Sequence, residues 1–411
     1  MLLFTVQSAR YVLPLITFPY LARVLKPDSW GKVLLAQALT QWLVLILEYG
    51  FNLSTTREIA RHRENYEKVE EIVSGVIGAS GLLILGSAVF TVALAGFIPI
   101  LSQNPDYLIW AWLAAVAQGI SPLWYFQGTE SLLIPTALDF AVRLVGTIGI
   151  LCYVHQPSDA WKVIALQAVP ALIASIWLLA QMYRKVRFKV PQVSDAWKML
   201  RTGWSMFFFR SSASLYTAAN TLILGFLVSP AAVACFAGVE RLSKAALALL
   251  FYPMSQAVFP KVSNLLTQDL RLAVRTVAIS AAIMQIFSFA LAGVLIINAQ
   301  LIVHIFLGDQ YESATLLLKI FAIYIPCVSV TYALGLQWML PLGLDNAFNK
   351  VVLASGLLNL VLIFLLTPWF GVVGTSWAVV VSTLFQSSGV YIVLSLKGLN
   401  LHQVYGRNSQ T

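Results

Sequence analysis

Apolar residues recur along the chain in runs of about 20, the length that an α-helix needs to cross the hydrocarbon core of a membrane. Charged clusters and Pro or Gly breaks separate twelve such runs, at residues 2–24, 33–55, 74–98, 107–127, 133–154, 161–182, 203–227, 232–259, 273–298, 315–340, 347–369 and 371–396. The last two runs are divided around Pro368–Gly371, where we expect a tight turn. The pattern predicts an all-α polytopic membrane protein with about twelve transmembrane helices.

Composition excludes the other broad classes of protein. Of the 411 residues, 59% are hydrophobic and 10% charged, and the mean hydropathy is +0.81. A soluble globule and a disordered chain both require far more polar surface. The three cysteines, Cys152, Cys235 and Cys327, each lie inside an apolar run, so a disulfide scaffold is not expected. Met1 and the residues after it lack a basic region and a cleavage site, which predicts that the first helix is an uncleaved anchor.

The distribution of Lys and Arg predicts the orientation. With the N-terminus inside, 16 basic residues fall in cytoplasmic segments, 5 in outer segments and 5 within helices. The positive-inside rule therefore places both termini in the cytoplasm. The net charge of +9 is explained by this topology and by contacts with anionic lipid, so nucleic acid is not expected as a partner.

A basic segment divides the chain into two halves of six helices. Residues 183–202 carry six Lys or Arg residues, between a predicted N-terminal lobe, residues 1–182, and a C-terminal lobe, residues 203–411. Arg10 and Arg210 each lie about 11 Å from the cytoplasmic end of the first helix in their half. This correspondence favours a transporter built from two repeated lobes around a cavity at the membrane midplane.

Ionisable residues inside membrane helices are costly, and they indicate functional positions. Eight such residues carry a net charge of +2: Arg10, Glu48, Asp139, Arg143, Arg210, Glu240, Arg241 and Lys244. The four-residue spacing predicts that Asp139 pairs with Arg143 and Glu240 with Lys244. Arg10, Arg210 and Arg241 are then the least compensated charges, and arginine suits a phosphate group because its planar fork donates two hydrogen bonds.

Four stretches carry a resemblance to a known family: FPYLARVL (18–25), EYGFNLSTTREIARHR (48–63), GISPLWYFQGTE (119–130) and GVERLSKAALALLFYPMSQAVFPKVS (238–263). The chain resembles the O-antigen and polysaccharide flippases of the multidrug, oligosaccharidyl-lipid and polysaccharide exporter superfamily. The resemblance implies twelve helices in two lobes in the bacterial inner membrane. It further implies transfer of undecaprenyl-diphosphate-linked repeat units to the outer leaflet, with polysaccharide polymerase and chain-length machinery as partners.

By its matching helices the resemblance also implies a substrate-binding set, consisting of Arg10, Arg143, Arg210, Arg241 and Lys244. Glu48, Asp139 and Glu240 are candidates for ion coupling or for charge partners. Two alternatives remain open. A cation-coupled multidrug exporter requires a cavity rich in carboxylates, and a membrane glycosyltransferase requires acidic residues and a large outer loop. Since the sequence contains no P-loop and no metal-ligand spacing among its four His, we expect a transporter with no enzymatic activity, cofactor or metal.

Overall fold

A computed structural model describes the backbone of residues 2–407. It describes their side chains except those of residues 2–12, 14, 15, 95, 99, 205, 206, 208–218, 249, 250, 252 and 405–407. Across these residues the fold is all-α, and the helices are α1 Leu2–Glu48, α2 Phe51–His62, α3 Tyr66–Ala95, α4 Pro99–Ser102, α5 Pro105–Gly119, α6 Leu123–Gly128, α7 Leu133–Tyr153, α8 Ala160–Tyr183, α9 Val193–Leu227, α10 Pro230–Gln268, α11 Leu270–Ile297, α12 Ala299–Phe306, α13 Ala314–Val330, α14 Asp345–Leu396 and α15 Leu401–Arg407. A π-helix, Thr331–Met339, continues α13.

The helices confirm the polytopic membrane fold. Within the described residues, seven helical stretches are long and apolar enough to cross a membrane. Two of the stretches, Ile16–His62 and Asp345–Val404, are longer than one crossing needs. The shorter α5 is followed by α6, and α9 and α10 contain 35 and 39 residues. When the two long stretches are divided at their breaks, the backbone agrees with about twelve crossings.

The break in α1 replaces an expected outer loop. Residues 25–32 were expected to separate two helices, and two helices are present, but the break between them is much shorter than the expected loop. Only Lys26 leaves the helical region, with φ 60° and ψ 165°. The residue before a proline is disfavoured in the α region, and Pro27 then begins the next helical segment. Trp30 is 1% exposed, so this part of the chain is packed helix.

The predicted turn near Pro368 is confirmed within α14. Gly371 has φ 58° and ψ −142°, a conformation that strongly favours glycine. The two halves of α14 pack closely beyond this break. A Cβ atom at Gly374 would lie 2.5 Å from the carbonyl oxygen of Leu366, and the hydroxyls of Thr367 and Thr375 are 2.7 Å apart. Close packing of this kind needs small residues.

Two other predicted helix boundaries were wrong. The second run was expected to continue to residue 55, but α1 ends at Glu48, and Tyr49 and Gly50 have positive φ values of 45° and 79°. The fourth run is interrupted before Pro122, where α5 and α6 are separate helices. Within the basic segment 183–202, α9 begins at Val193.

The chain divides into two compact units. Unit 1 comprises Met1–Ser214 and Thr221–Ala234, and unit 2 comprises Leu215–Asn220 and Cys235–Thr411. The boundary between units therefore falls within α9 and near the start of α10. The division into lobes 1–182 and 203–411 around a linker at 183–202 stays a prediction.

In unit 1, two of the family-like stretches pack against each other. Phe51 and Ile59 of α2 share a buried cluster with Trp124 of α6. The Thr56 hydroxyl donates to the carbonyl oxygen of Trp124 at 3.2 Å. A Cβ at Gly128 would lie 2.7 Å from a side-chain carbon of Ile59, so α2 and α6 are in close contact. These stretches therefore contribute to one of the buried clusters of unit 1.

In unit 2, the π-helix carries part of the core. Trp338 and Met339 are fully buried in a cluster with Val277 of α11 and Val390 of α14. The indole nitrogen of Trp338 donates to the carbonyl oxygen of Leu399 at 2.8 Å. This contact fixes the chain after α14 against the end of the π-helix.

Candidate functional site

The structure describes six of the eight ionisable side chains singled out in the sequence. The side chains of Arg10 and Arg210 lie outside the described residues, although both belong to helices, α1 and α9. Glu48 is half-buried at the last residue of α1, next to the turn at Tyr49 and Gly50. The roles predicted for these three residues stay predictions.

Asp139 and Arg143 pair on α7 in unit 1, as their spacing predicts. The Arg143 Nε atom lies 3.2 Å from the Asp139 carboxylate, and the two side chains are 40% and 32% exposed. Both charges are thus compensated on the helix itself. This geometry is consistent with a structural pair, and a role of Arg143 in substrate binding stays a prediction.

The three charges of α10 lie within the run 232–259, which the sequence predicts to cross the membrane. Lys244 is 14 residues after Pro230, which corresponds to about 21 Å along the helix axis. The Lys244 Nζ atom lies 3.0 Å from the Glu240 carboxylate, as the four-residue spacing predicts. The Lys244 side chain is 42% exposed and Arg241 is exposed, whereas the Glu240 side chain is only 10% exposed. Cations at this depth need water or an anion beside them.

A chain of hydrogen bonds connects Glu240 to the interior of unit 2. The Asn220 amide of α9 donates to the Glu240 carboxylate at 3.1 Å. The Asn359 amide of α14 donates to the Asn220 carbonyl oxygen at 2.7 Å, and the Ser382 hydroxyl donates to Asn359 at 3.2 Å. We call Lys244, Glu240, Asn220, Asn359 and Ser382 the polar chain.

The polar chain explains how unit 2 holds a carboxylate in an apolar interior. A buried ion is strongly destabilising unless it is paired and its oxygens accept hydrogen bonds. Glu240 has both, an ammonium partner on its own helix and an amide donor from α9. Asn220 and Asn359 are 3% and 1% exposed. The chain therefore leads from a partly exposed cation, Lys244, to a fully buried amide.

A second polar cluster lies around Gln337 of the π-helix. Gln337 is fully buried, accepts a hydrogen bond from Ser280 at 2.7 Å and donates one to Ser255 at 3.2 Å. These bonds connect the π-helix to α10 and α11. Because all three residues are neutral and their bonds are internal, this cluster is a packing feature of unit 2.

Sequence reasoning identified the charged members of the polar chain and missed the neutral ones. Asn220 and Asn359 each lie within an apolar run, and an amide there is costly unless it finds a partner. That cost was a usable signal for both residues. Their pairing was not predictable from spacing, because the two residues are 139 positions apart in sequence.

Comparison with known proteins gives the same family for most of the chain. Residues 1–266 match the model of the family described as polysaccharide biosynthesis protein. The chain is 30% identical over 377 residues to the "Putative O-antigen transporter" of Escherichia coli strain K12, covering 90% of each chain. It is 28% identical over 403 residues to the protein of the same name from Shigella dysenteriae, covering 96% of this chain and 97% of that one.

Solved structures show the same fold at low sequence identity. The lipid II flippase MurJ in an inward closed conformation is similar with a TM-score of 0.72 and 12% identity, covering 98% of this chain and 91% of MurJ. An inward-facing MATE family multidrug resistance transporter of the MOP superfamily gives a TM-score of 0.66 with 10% identity, covering 96% of this chain and 98% of that one. The architecture is therefore shared with polytopic transporters.

Proposed function

This chain belongs to the polysaccharide biosynthesis protein family, and on that premise we propose that it is a flippase for lipid-linked polysaccharide precursors. It moves undecaprenyl-diphosphate-linked O-antigen or other polysaccharide repeat units from the inner to the outer leaflet of the bacterial inner membrane, by alternating access. No bond is made or broken in this process, so the protein is a transporter and not an enzyme. The 30% identity to an O-antigen transporter over 90% of both chains carries the proposal.

The charges of α10 support a diphosphate as the group that is bound. Lys244 is 42% exposed and Arg241 lies on the same helix, in a run that the sequence predicts to cross the membrane, and a diphosphate is an anion that such cations attract. Arg10 and Arg210 are proposed to contribute in the same way, and Arg143 to a smaller extent because it is paired. An organic cation, the cargo of a multidrug exporter, would be repelled by this set.

The pairing of Lys244 with Glu240 suggests how the substrate is released. While the diphosphate is bound, Lys244 turns from the Glu240 carboxylate to a phosphate oxygen. Glu240 keeps the hydrogen bond from Asn220, so its carboxylate is not left without a donor. When Lys244 returns to Glu240, the diphosphate loses one cation and its affinity falls. Glu240 therefore competes with the substrate for Lys244.

The orientation and partners follow from the proposed direction of transport. We place both termini in the cytoplasm, as the distribution of Lys and Arg predicts. The substrate is delivered by the enzymes that assemble the repeat unit on the inner leaflet. On the outer leaflet, polysaccharide polymerase and chain-length machinery receive it, and membrane lipids surround the helices throughout.

Deletion of the gene, followed by complementation, tests the function. Loss of surface polysaccharide with accumulation of lipid-linked repeat units facing the cytoplasm is the expected result. A strain with normal polysaccharide and raised drug sensitivity would indicate a multidrug exporter. Repeat units that reach the outer leaflet but are not joined would indicate a glycosyltransferase or ligase, and either result contradicts the proposal.

Single-residue substitutions then test whether the cations bind the substrate. Complementation by Lys244→Gln should fail or be reduced about tenfold or more, because one charge-assisted contact of roughly 1.5–3 kcal/mol is lost. Lys350→Gln is a matched control, since Lys350 is an exposed lysine at the start of α14.

Arg210→Lys should keep part of the activity that Arg210→Ala loses, since lysine keeps the charge but not the planar guanidinium group. Normal transport by Lys244→Gln and Arg210→Ala at parental expression would show that the cations are structural.

A further inference from the structure

Unit 2 contains a groove of about 600 Å³ on a face made by α11, α13 and the second half of α14. Its size lies within the range of ligand-binding cavities, roughly 300–1,000 Å³. The walls are exposed apolar side chains: Phe289 is 62%, Leu384 53% and Ile392 53% exposed. The base is formed by small buried residues, Ala292 and Ala322 at 6% and 0% exposure. The groove thus exists because large residues surround small ones.

Two polar side chains of the groove, Ser387 and Gln285, are already hydrogen-bonded within the protein. The Ser387 hydroxyl donates to the carbonyl oxygen of Cys327 at 2.6 Å. The carbonyl oxygen of the Gln285 side chain accepts a hydrogen bond from Ser329 at 2.6 Å. A polar ligand would have to replace these bonds, whereas a hydrocarbon leaves them intact. The groove therefore favours an apolar occupant, and its three helices are long and apolar enough to cross a membrane.

Large and small side chains alternate along the helices that form the walls of the groove. On α11 and on the second half of α14, a small residue stands between two large ones, about one helical turn apart: Phe289, Ala292 and Ile296 on α11, and Leu384, Ser388 and Ile392 on α14. Ile323, Cys327 and Val330 repeat this order on α13. A straight acyl chain has no side groups to fill these notches. A chain with a methyl branch on every fourth carbon does, and contact between atoms is the main attraction available within lipid.

We propose that this groove binds part of the polyprenyl chain of the lipid-linked substrate. The inference rests on the proposed function, which supplies a polyprenyl lipid as substrate, and it adds a binding site for the apolar part of that lipid. The groove is lined entirely by residues of unit 2. Cargo recognition then has two components, the cations for the diphosphate and the groove for the tail.

Photo-crosslinking tests the proposal. The purified full-length protein, reconstituted in vesicles of phosphatidylethanolamine and phosphatidylglycerol, is irradiated with a polyprenyl phosphate that carries a diazirine within its chain. Mass spectrometry should locate the crosslinks in peptides that contain residues 322–330 and 384–392. Added undecaprenyl phosphate should compete for this labelling, and extra phosphatidylglycerol should not. Equal competition by phosphatidylglycerol, or labelling spread over all lipid-facing helices, would overturn the proposal.

Two matched variants sharpen the result. Ser388→Phe fills the notch on α14 at an exposed position and should reduce the crosslinking about fivefold, which corresponds to roughly 1 kcal/mol. Leu357→Phe adds bulk at another lipid-facing position of α14, where the side chain is 51% exposed, and should leave the crosslinking unchanged. An equal effect of both variants would contradict a specific groove. If the parent protein gives the expected crosslinks but fails to complement the deletion, the proposed function is wrong and the groove remains a polyprenyl-binding site. If the parent protein complements the deletion but gives no crosslinks in these peptides, the groove does not bind the polyprenyl chain and the proposed function stands.

Discussion

Replacement of Glu240 by Gln tests the competition between the carboxylate and the substrate for Lys244. The Glu240–Lys244 ion pair, at 3.0 Å, holds the ammonium in the absence of substrate. Glutamine has nearly the same shape, and its carbonyl oxygen still accepts the hydrogen bond from Asn220. It has no charge with which to attract Lys244. Glu240→Gln should therefore bind a polyprenyl diphosphate more tightly than the parent protein and release it more slowly.

The size of the effect follows from the exposure of the pair. A charge-assisted hydrogen bond contributes roughly 1.5–3 kcal/mol when it is buried. Because the Lys244 side chain is 42% exposed, solvent screening lowers that contribution to about 1 kcal/mol. A gain of this size corresponds to about fivefold tighter binding. Since the same contact opposes release, the transport rate at saturating substrate should fall.

Titration of the purified variant with undecaprenyl diphosphate measures the dissociation constant, and a vesicle assay measures transport. Asn220→Ala should have the opposite effect and weaken binding, because it removes the donor that Glu240 keeps while Lys244 contacts the substrate, and Lys350→Gln is the control that should leave binding unchanged. If Glu240→Gln folds like the parent and binds the diphosphate equally or more weakly, the carboxylate does not compete with the substrate. The release mechanism would then be wrong.

Three further predictions follow from the structure and the sequence. Reporter fusions after Lys189 and Arg407 should report the cytoplasm and one at Asn104 the outer side, and an outer signal after Lys189 would refute the topology. Loss of either Asp139 or Arg143 alone should lower the amount of folded protein and replacement of both by apolar residues should restore it, as measured by membrane expression. Asn359→Leu should lower the melting temperature in detergent through a loss of about 1–2 kcal/mol. Unchanged melting would contradict the importance of the polar chain.

The positions of most helices, and the ion pairs between residues of one helix, could be predicted from the sequence. Both depend on local patterns: a run of apolar residues defines a crossing, and a four-residue spacing defines a shared helix face. The run 133–154 corresponds to α7 within one residue. The pairs of Asp139 with Arg143 and of Glu240 with Lys244 formed as expected.

Charge clusters overestimated the length of the first break in the chain. Lys26 and Lys32 indicated an outer loop, but the backbone leaves the helix only at Lys26. Lys32 pairs with Asp28 one turn earlier at 2.9 Å, so its charge is accommodated on a helix. At Tyr49 and Gly50 the opposite occurred, since an apolar run continues through a turn that only positive φ values allow. Backbone breaks of one or two residues leave little trace in hydropathy.

The neutral part of the polar chain required the tertiary structure. Asn220, Asn359 and Ser382 come from three helical segments that are distant in sequence, and no spacing rule relates them. Gln337 shows why a polar residue in an apolar run does not by itself identify a substrate-binding position. Gln337 forms an internal cluster with Ser280 and Ser255, so a polar residue in a membrane helix is not by itself a substrate contact.

The second half of α14 connects the two proposed components of substrate recognition. Ser382, at the buried end of the polar chain, is two residues before Leu384, a wall of the groove. At about 100° per residue these side chains point to opposite faces of the helix. The segment is separated from the first half of α14 by the break at Gly371, where positive φ permits a change of direction. A polyprenyl chain in the groove and a diphosphate at Lys244 would thus act on one helical segment from its two sides. Movement of that segment during transport would change both sites together, so that tail and headgroup are released in the same step.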